Sequence, residues 1–400
     1  MLEALKNPYQ PGAGRQPPYL AGRDTEMTEF RSILQLDDII QNVVLTGLRG
    51  VGKTVLMDEY KRIASAEGWI WVGSDLSEAA FVDERTICNR LLTDFSLFTS
   101  TIVLSNEEFP FGFQPRKDRV TTSLDYHFLM TVYERQPGLN ADRLKATFEY
   151  LWKAVESTGQ KGVLFAYDES QVVQDRREKD EYPLALLLET FQSLQRKDMR
   201  YMLLLTGLPT LFPKLVESRT YAERMFTIQE VGRLDTSACR EAIENPLLQS
   251  PLTFTPESVE EIIEISAGYP YFLQFICRES FDYLKLQFES KPGSDPSIPV
   301  DTLVSKLDSD FFAGRWNKVT DRQRELLLCI ASLEHSNQEF TISEIVDASK
   351  VISGISKPFR TGHISQMLPK LIDQGLIYKN RHGKYSFAVP LFDGYIKRQF

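Results

Sequence analysis

The chain has 400 residues, of which 42% are hydrophobic and 25% are charged, a composition that is ordinary for a globular protein. No apolar run approaches the roughly 20 residues of a membrane span, and the N-terminus lacks the basic start and apolar core of a secretory signal. We therefore expect a cytoplasmic protein of two or three domains with no membrane contact.

The four cysteines, Cys88, Cys239, Cys277 and Cys329, lie far apart and form no CxxC pair. The four histidines are equally dispersed. This spacing indicates neither a zinc site nor a disulfide framework, which fits a reducing compartment.

The net charge of −9 is unevenly distributed along the chain. Residues 315–400 contain 13 Lys and Arg against 8 Asp and Glu, a net of +5, whereas the remainder contains 33 against 47, a net of −14. The sequence therefore predicts an acidic main part and a mildly basic tail domain.

A glycine-rich motif directly follows the β-branched run Val43-Val44-Leu45 and matches GxxxxGK[ST]. Its residues are Gly47, Leu48, Arg49, Gly50, Val51, Gly52, Lys53 and Thr54. The glycines let consecutive backbone N–H groups turn toward a phosphate, and the following helix points its positive end at the same place. Lys53 is predicted to reach the β- and γ-phosphates of ATP, and Thr54 to ligate Mg²⁺. The predicted nucleotide contacts extend to Val55.

The segment from Phe95 to Pro137 is longer and more aromatic than a plain crossover requires. It places Phe109-Pro110-Phe111-Gly112-Phe113 beside Arg116, Lys117 and Arg119. Two interpretations stay open: an insertion that binds DNA or a partner, and a surface excursion packed by its own aromatic side chains.

A second apolar strand, Val163 to Tyr167, ends in two adjacent acids, which is the Walker B pattern. Asp168 is predicted to hold Mg²⁺ through its water shell, and Glu169 to polarise the water that attacks the γ-phosphate. Adjacent acids after a strand are also common in turns, but the upstream phosphate loop favours the catalytic interpretation.

The strand from Tyr201 to Leu205 leads into Thr206, which either senses the γ-phosphate or caps the strand before a turn. Arg219 and Arg224 lie just before a further β-like run, Met225 to Ile228. Either arginine is a candidate to reach the nucleotide of a neighbouring subunit and neutralise transition-state charge. The alternative for both is a solvated arginine at a helix end.

Helical patterns at 235–245, 256–267 and 271–288 predict a small α-helical lid, and the Pro/Gly/Ser segment from Ser290 to Pro296 predicts a linker. The tail then shows the order of a winged helix. Helices are expected after the capping Thr320, over 341–348 and from Thr361, followed by two strands joined by a wing at 379–384.

In a DNA-binding winged helix, the third helix enters the major groove through its polar face, and basic residues of the wing hold phosphates. That face would comprise His363, Ser365, Gln366 and Lys370, and the basic wing residues would be Arg381 and Lys384. The face is poor in arginine, so an autoinhibitory or protein-binding role for the tail stays open beside duplex DNA binding.

Taken together, these residues resemble the AAA+ and STAND P-loop ATPases, particularly the branch similar to origin-recognition proteins and archaeal-type ATPases. Leu20-Ala21-Gly22-Arg23-Asp24-Thr25-Glu26 resembles the hhGRExE box, with Asp24 in place of the usual first Glu. Gly268-Tyr269-Pro270 resembles the GxP element of STAND proteins. The resemblance implies that Arg23 and Pro270 contact the adenine side of the nucleotide. No arginine stands at the sensor-2 place, and Thr206 stands where many AAA+ proteins carry Asn.

The sequence thus predicts an α/β P-loop NTPase of AAA+/STAND type with a parallel-sheet core, a small α-helical lid and a C-terminal winged helix-turn-helix. The expected domains are the core with its N-terminal segment (1–232), the lid (233–290), a linker (291–314) and the winged helix (315–400).

The predicted function is an ATP-hydrolysing switch that uses ATP and Mg²⁺ and controls DNA association or self-association. The alternative is a signalling or defence switch whose tail binds a protein. A stand-alone metabolic kinase is disfavoured, because lid and winged helix have no role in such chemistry.

Overall fold

The computed structural model describes residues 6–36, 40–73, 83–104, 122–290 and 297–400. The predicted insertion motif at 109–119 and residues 291–296 of the predicted linker lie outside these ranges. The chain divides into two compact units. The sheet unit comprises Thr25–Thr46 and Leu56–Glu230, and the loop-and-tail unit comprises Met1–Asp24, Gly47–Val55 and Val231–Phe400. Within the described ranges, no helix combines the length and apolarity needed to cross a bilayer.

Among its described residues, the sheet unit contains a five-stranded parallel sheet. In chain order, the strands of the whole sheet unit, including two that lie outside the parallel sheet, are β1 (Asn42–Thr46), β2 (Trp69–Val72), β3 (Val103–Leu104), β4 (Thr122–Ser123), β5 (Gly162–Tyr167), β6 (Tyr201–Gly207) and β7 (Phe226–Glu230). The parallel sheet has the order β2-β5-β6-β1-β7, while β3 and β4 form a separate antiparallel pair. Strands β1, β5 and β6 are buried along their whole length, as expected for parallel strands covered on both faces. The apolar strands predicted from the sequence are confirmed.

Helices alternate with these strands along the chain. They are α1 (Asp24–Leu34), α2 (Lys53–Ala66), α3 (Glu84–Thr99), α4 (Tyr126–Arg135), α5 (Asn140–Ser157), α6 (Pro183–Gln195), α7 (Leu211–Ser218) and α8 (Ala222–Met225). Aromatic rings join α3, α5 and α6 to the sheet: Phe95 and Phe191 pack against Phe165 at 5.5 and 5.3 Å between ring centroids. Phe148 stacks on Tyr201 at 5.2 Å. Such pairs add directional contact to the area they bury.

Asn42 is a fully buried polar residue at the start of β1. Its Oδ1 accepts hydrogen bonds from the backbone N–H of Leu203, at 2.7 Å, and from Nε2 of Gln195, at 2.8 Å. Its Nδ2 donates to the carbonyl oxygen of Met225 at 3.2 Å. The amide therefore ties β1 to β6 and to the residue that precedes β7, where backbone groups would otherwise lack partners.

The loop-and-tail unit is mainly helical. Its elements are α9 (Thr236–Glu244), α10 (Pro256–Ser266), α11 (Pro270–Ser290), α12 (Val300–Leu307), α13 (Ala313–Trp316), α14 (Asp321–Ala331), α15 (Ile342–Val351), α16 (Thr361–Asp373), β8 (Ile377–Arg381), β9 (Lys384–Phe387) and α17 (Phe392–Arg398). The helices predicted for the lid form as α9, α10 and α11, and those predicted for the tail form as α14, α15 and α16. Asp235, Thr255, Thr320 and Thr341 cap the N-termini of α9, α10, α14 and α15 through their side chains.

In the tail, three helices are followed by the β8–β9 hairpin, and the backbone of Phe340 pairs with Tyr385 beside it. The exposed polar face predicted for α16 is confirmed, since His363, Ser365, Gln366 and Lys370 are all exposed. The predicted extent of the wing is wrong. Strand β8 continues to Arg381, so that the turn narrows to His382 and Gly383.

The segment predicted as a linker contains structure that the sequence analysis missed. Helix α12 and the turn that leads into α13 bury Leu303, Leu307 and Phe312. The additional helix α17 packs on this turn, with Tyr395 at 5.2 Å from Phe312 between ring centroids. The domain boundaries themselves stay a prediction.

Replacing Asn42 with Ala should destabilise the chain by about 1–3 kcal/mol, because the Leu203 N–H and the Met225 carbonyl would be left buried without partners. The measurement is urea unfolding followed by tryptophan fluorescence. Ser65→Ala, at an exposed position of α2, is the matched control and should change the free energy of unfolding by less than about 0.5 kcal/mol. Equal stabilities for both variants would contradict the role assigned to Asn42.

Candidate functional site

Three neighbouring strands of the sheet unit end at the same edge of the sheet. β6 lies between β1 and β5, with Thr206 beside Leu45 of β1 and Leu205 beside Tyr167 of β5. Because the strands are parallel, their carboxyl ends share this edge. Asp168 follows β5 directly, Thr206 is the last residue but one of β6, and the phosphate loop begins at the residue after β1. Ligands of open α/β sheets bind at this edge.

The phosphate loop belongs to the loop-and-tail unit and has the backbone its glycines permit. Gly50 and Gly52 have φ values of +79° and +93°. At Gly47 a Cβ atom would lie 2.3 Å from the carbonyl oxygen of Val231, a distance that excludes any side chain. Lys53 begins α2 and is 8% exposed, and its Nζ donates to the carbonyl oxygens of Gly47 and Leu48, both at 2.9 Å. The ammonium group therefore lies over the loop.

Arg23 supports the same loop from the N-terminal segment. It is 5% exposed, and its Nη2 donates to the carbonyl oxygens of Val51, at 3.1 Å, and Gly232, at 2.7 Å. Its guanidinium thus fastens the loop to the start of the segment that leads to the lid. The adenine contact implied by the resemblance stays a prediction, whereas the positioning of the loop was not foreseen.

Two further segments of the same unit reach the loop. Pro270 is the first residue of α11, and the N–H of the next residue, Tyr271, donates to the carbonyl oxygen of Gly50 at 3.1 Å. From the N-terminal segment, Nε2 of Gln16 donates to the carbonyl oxygen of Val55 at 3.1 Å. Sequence analysis missed Gln16 because a lone glutamine in a loop carries no spacing signal.

The side chain of Arg49, an exposed residue of the phosphate loop, contacts the tail. Its Nη1 lies 3.4 Å from the carbonyl oxygen of Gly375, just past the C-terminal end of α16. Arg315 lies close to it, stacked on the ring of Phe311 at 4.4 Å. Partial burial lowers the pKa of Arg315, and the charge of Arg49 lowers it further. A cation beside a helix C-terminus is favoured by the helix dipole.

In the sheet unit, the predicted metal-binding carboxylate is held by hydrogen bonds. Asp168 is 4% exposed, and its Oδ1 accepts from the N–H of Glu169, at 2.7 Å, and from the hydroxyl of Thr206. Thr206 lies inside β6 and is fully buried. Its observed hydrogen bond orients Asp168, and its predicted role as a γ-phosphate sensor stays a prediction.

Glu169 has a strained backbone, with φ at +51° and ψ at +32°, the left-handed region that non-glycine residues seldom adopt. Its carboxylate accepts a hydrogen bond from Nε2 of Gln171. The N–H of Leu208 donates to Oε1 of Gln171 at 3.1 Å, which fixes the orientation of that amide. The Lys214 ammonium group donates to the Gln171 carbonyl oxygen at 2.9 Å, and burial lowers the pKa of Lys214.

The two candidate arginines differ in their surroundings. Arg219 donates to the carbonyl oxygen of Ser218 at 3.0 Å and lies 3.7 Å from a carboxylate oxygen of Glu189. Arg224, on α8, is exposed, and its side chain forms no hydrogen bond or ion pair within the described ranges. Of the pair, Arg224 is the better placed to project toward another molecule.

Comparison with known proteins is informative about the fold. Residues 309–396 match a family model described as Domain of unknown function (DUF8462). No curated protein matches the sequence. The chain is similar to the solved structure of the Walker-type ATPase PABY2304 of Pyrococcus abyssi, with 16% identity, a TM-score of 0.58, and coverage of 99% of this chain and 100% of that one. The chain has the fold of a P-loop ATPase.

Two structures of the Aeropyrum pernix ORC2 protein agree with this fold. The ADP form has 15% identity and a TM-score of 0.53, and the form with ADPNP and ADP has 14% identity and a TM-score of 0.51. Coverage is 97% of both chains in each case. The predicted α/β P-loop fold is confirmed, and its resemblance to origin-recognition proteins is reflected in these neighbours.

Gln171→Leu should lower ATP turnover about 10-fold or more, because Glu169 loses the amide that fixes its carboxylate. ATP affinity should stay within about threefold, since Gln171 acts through Glu169 rather than on the phosphates. Steady-state hydrolysis and equilibrium binding of a fluorescent ATP analogue measure the two quantities. Gln192→Leu, on α6, is the matched control. Unaltered turnover in Gln171→Leu would remove Gln171 from the site.

Proposed function

We propose that this protein is a cytoplasmic ATP-binding and ATP-hydrolysing switch whose nucleotide state controls DNA association through its tail. The observation that carries the proposal is the phosphate loop Gly47–Thr54, with inward Lys53 and positive φ at Gly50 and Gly52. Such a loop places backbone N–H groups and an ammonium group around an anionic phosphate. The fold shared with a Walker-type ATPase supports the same function.

The donor set fits Mg²⁺, which prefers oxygen ligands and keeps several of its waters. The Thr54 hydroxyl and the buried carboxylate of Asp168 would hold the ion with the phosphates, where it supplies charge neutralisation. Lys53 would exchange its bonds to the Gly47 and Leu48 carbonyls for phosphate oxygens. Glu169 would orient the attacking water, and Gln171 and Thr206 would position the two carboxylates.

We further propose nucleotide-dependent self-association, in which Arg224 of one copy reaches the nucleotide of the next. The exposure of Arg224 and the lack of a partner within the described ranges support this assignment. An arginine delivered in this way would stabilise the charge that develops on the transferred phosphoryl group. Arg219, which lies near Glu189, is the weaker candidate.

For the output, we propose that residues 315–400 act as a winged helix. The order of α14, α15, α16 and the β8–β9 hairpin supports this assignment, as does the pairing of Phe340 with Tyr385. The exposed face of α16 would read duplex DNA. Arg49 offers a route for coupling, because a phosphate-loop residue contacts the carbonyl of Gly375 at the end of that same helix.

A second candidate function is favoured by the same contact. If the tail restrains the loop through Arg49, the protein is a signalling or defence switch whose tail holds the inactive state and binds another protein. In that case the tail would show no salt-dependent affinity for DNA, and weakening the Arg49 contact would raise ATP turnover.

Lys53→Ala should weaken ATP binding roughly 10-fold or more, because a charge-assisted contact with the phosphates is lost. Glu169→Gln should instead retain ATP while lowering turnover about 100-fold or more, since the water-orienting carboxylate alone is changed. Equilibrium ATP binding and phosphate release measure these effects. The exposed residues Lys61 and Glu178 provide the controls Lys61→Ala and Glu178→Gln. Hydrolysis at the wild-type rate by Glu169→Gln would exclude Glu169 as the water-orienting group.

Arg49→Ala should uncouple the tail from the nucleotide. In the wild-type chain, saturating ATP should change duplex DNA affinity by about fivefold or more, the usual size of such coupling. In Arg49→Ala the ratio of DNA affinities with and without ATP should fall to about one, as measured by fluorescence anisotropy. Lys318→Ala, an exposed cation in the same region, is the control. A retained ratio would show that coupling takes another route.

A further inference from the structure

The tail contains a cleft of about 860 Å³ between α14, α15 and the start of α16. Four of its lining residues, Arg322, Lys350, Lys357 and Arg360, are cationic, and His363 lines it beside them. None of these residues belongs to the predicted wing. The exposed polar face of α16 begins at the edge of this cleft, at His363.

The loop that forms one side of the cleft is firmly held. The guanidinium of Arg322 lies over the ring of Phe359, 3.6 Å from its centroid, and its Nη2 donates to the carbonyl oxygen of Lys357 at 2.7 Å. Phe359 is 2% exposed, and its N–H donates to the Ser349 hydroxyl at 2.9 Å. A ligand that binds there would find its contacts already ordered, which lowers the entropic cost of binding.

The charges of the cleft are not equally available. Arg322 forms an ion pair with Glu325 and contacts the loop, so its charge is already used. Lys350 pairs with Asp347 at 2.7 Å, but this ion pair is exposed and therefore weak. Lys357 and Arg360 are exposed, and neither forms an ion pair within the described part of the chain. These two cations are therefore free to meet an anion.

The start of α16 adds backbone donors at the same place. Arg360 is the N-cap residue of this 13-residue helix, and its side chain makes no capping hydrogen bond. N–H groups of the first turn are therefore not satisfied by a capping side chain and favour a negative charge nearby.

The wing offers a weaker positive field than the sequence suggested. Nε and Nη2 of Arg381 both donate to Oε2 of Glu339, at 3.2 and 2.8 Å, and the hydrogen bond from Arg381 lowers the pKa of Glu339. A neighbouring carboxylate, Glu344, lies within the electrostatic reach of Lys384. The ion pair with Glu339 offsets the positive charge that Arg381 brings to the wing.

We propose that the cleft at the start of α16, and not the wing, binds the phosphate backbone of duplex DNA, with Lys357 and Arg360 as the phosphate contacts. This inference rests on the proposed DNA association of the tail. Duplex DNA is the occupant that fits, because the cleft is continuous with the exposed face of α16, which offers donors and acceptors rather than apolar groups. A backbone seated in the cleft would place that face against the base edges.

The experiment uses the full-length chain and a fluorescently labelled duplex of about 20 base pairs, with anisotropy recorded over a series of chloride concentrations. The double variant Lys357→Ala/Arg360→Ala should weaken binding about 10-fold or more and lower the slope of log affinity against log salt by up to about two units. The matched wing variant, Arg381→Ala/Lys384→Ala, should change affinity by less than about threefold.

Three outcomes would overturn the proposal. The first is unchanged DNA affinity in the cleft variant, or a loss in the wing variant at least as large as in the cleft variant. The second is equally tight, cleft-dependent binding of a polyglutamate peptide, which would identify an acidic protein as the occupant. The third is no DNA binding by the wild-type chain at low salt, which would remove the proposed DNA function as well. If the first outcome occurs while the wild-type chain still binds DNA, only the assignment to the cleft is removed, and the proposed DNA function stands. ATP turnover, measured in each variant, verifies that the chain is folded.

Discussion

The guanidinium of Arg23 is the contact on which the shape of the phosphate loop depends. It is buried, and it binds the carbonyls of Val51 and Gly232, which lie far apart in sequence. Carbonyl oxygens near a phosphate would repel it, so their occupation by a fixed cation leaves the backbone N–H groups to face an anion. At the other end of the loop, the Val231 carbonyl leaves no room for a side chain at Gly47. The predicted binding of the nucleotide therefore depends on Arg23, which lies outside the GxxxxGK[ST] motif and holds the phosphate loop in position.

In the acidic half of the predicted site, hydrogen bonds from neighbouring side chains hold Asp168 and Glu169. Glu169 has a left-handed backbone conformation, and such strain persists where the surrounding contacts hold it in place. Here Gln171 is tied to Leu208 and Lys214 and donates to the Glu169 carboxylate, while Thr206 donates to Asp168. The two carboxylates are adjacent in sequence but have separate partners, which suits different chemical roles.

Helix α16 links the two proposals about the tail, because each of its ends has a distinct neighbour. Its first residues border the basic cleft with Lys357 and Arg360, and the carbonyl of Gly375 past its last turn contacts Arg49 of the phosphate loop. If both proposals hold, α16 would connect the nucleotide physically to the output, because it has one end at each place. Its two states would differ in whether Arg49 remains with Gly375.

The sequence by itself determined the phosphate loop, the acidic pair after β5 and the order of most strands and helices, because these depend on local spacing and on apolar periodicity. It missed α12, α13 and α17. It did not reveal that β6 lies between β1 and β5, that Gln171 holds Glu169, or that Arg381 of the wing is paired with Glu339. These features were decided by the tertiary structure. Strand order and most side-chain partners arise between segments far apart in the chain, and the contact of Gln171 with Glu169 depends on a turn conformation that no sequence pattern predicts. For this reason we propose the cleft rather than the wing as the phosphate contact of the tail: charge can be counted in a sequence, but its neutralisation depends on folded neighbours.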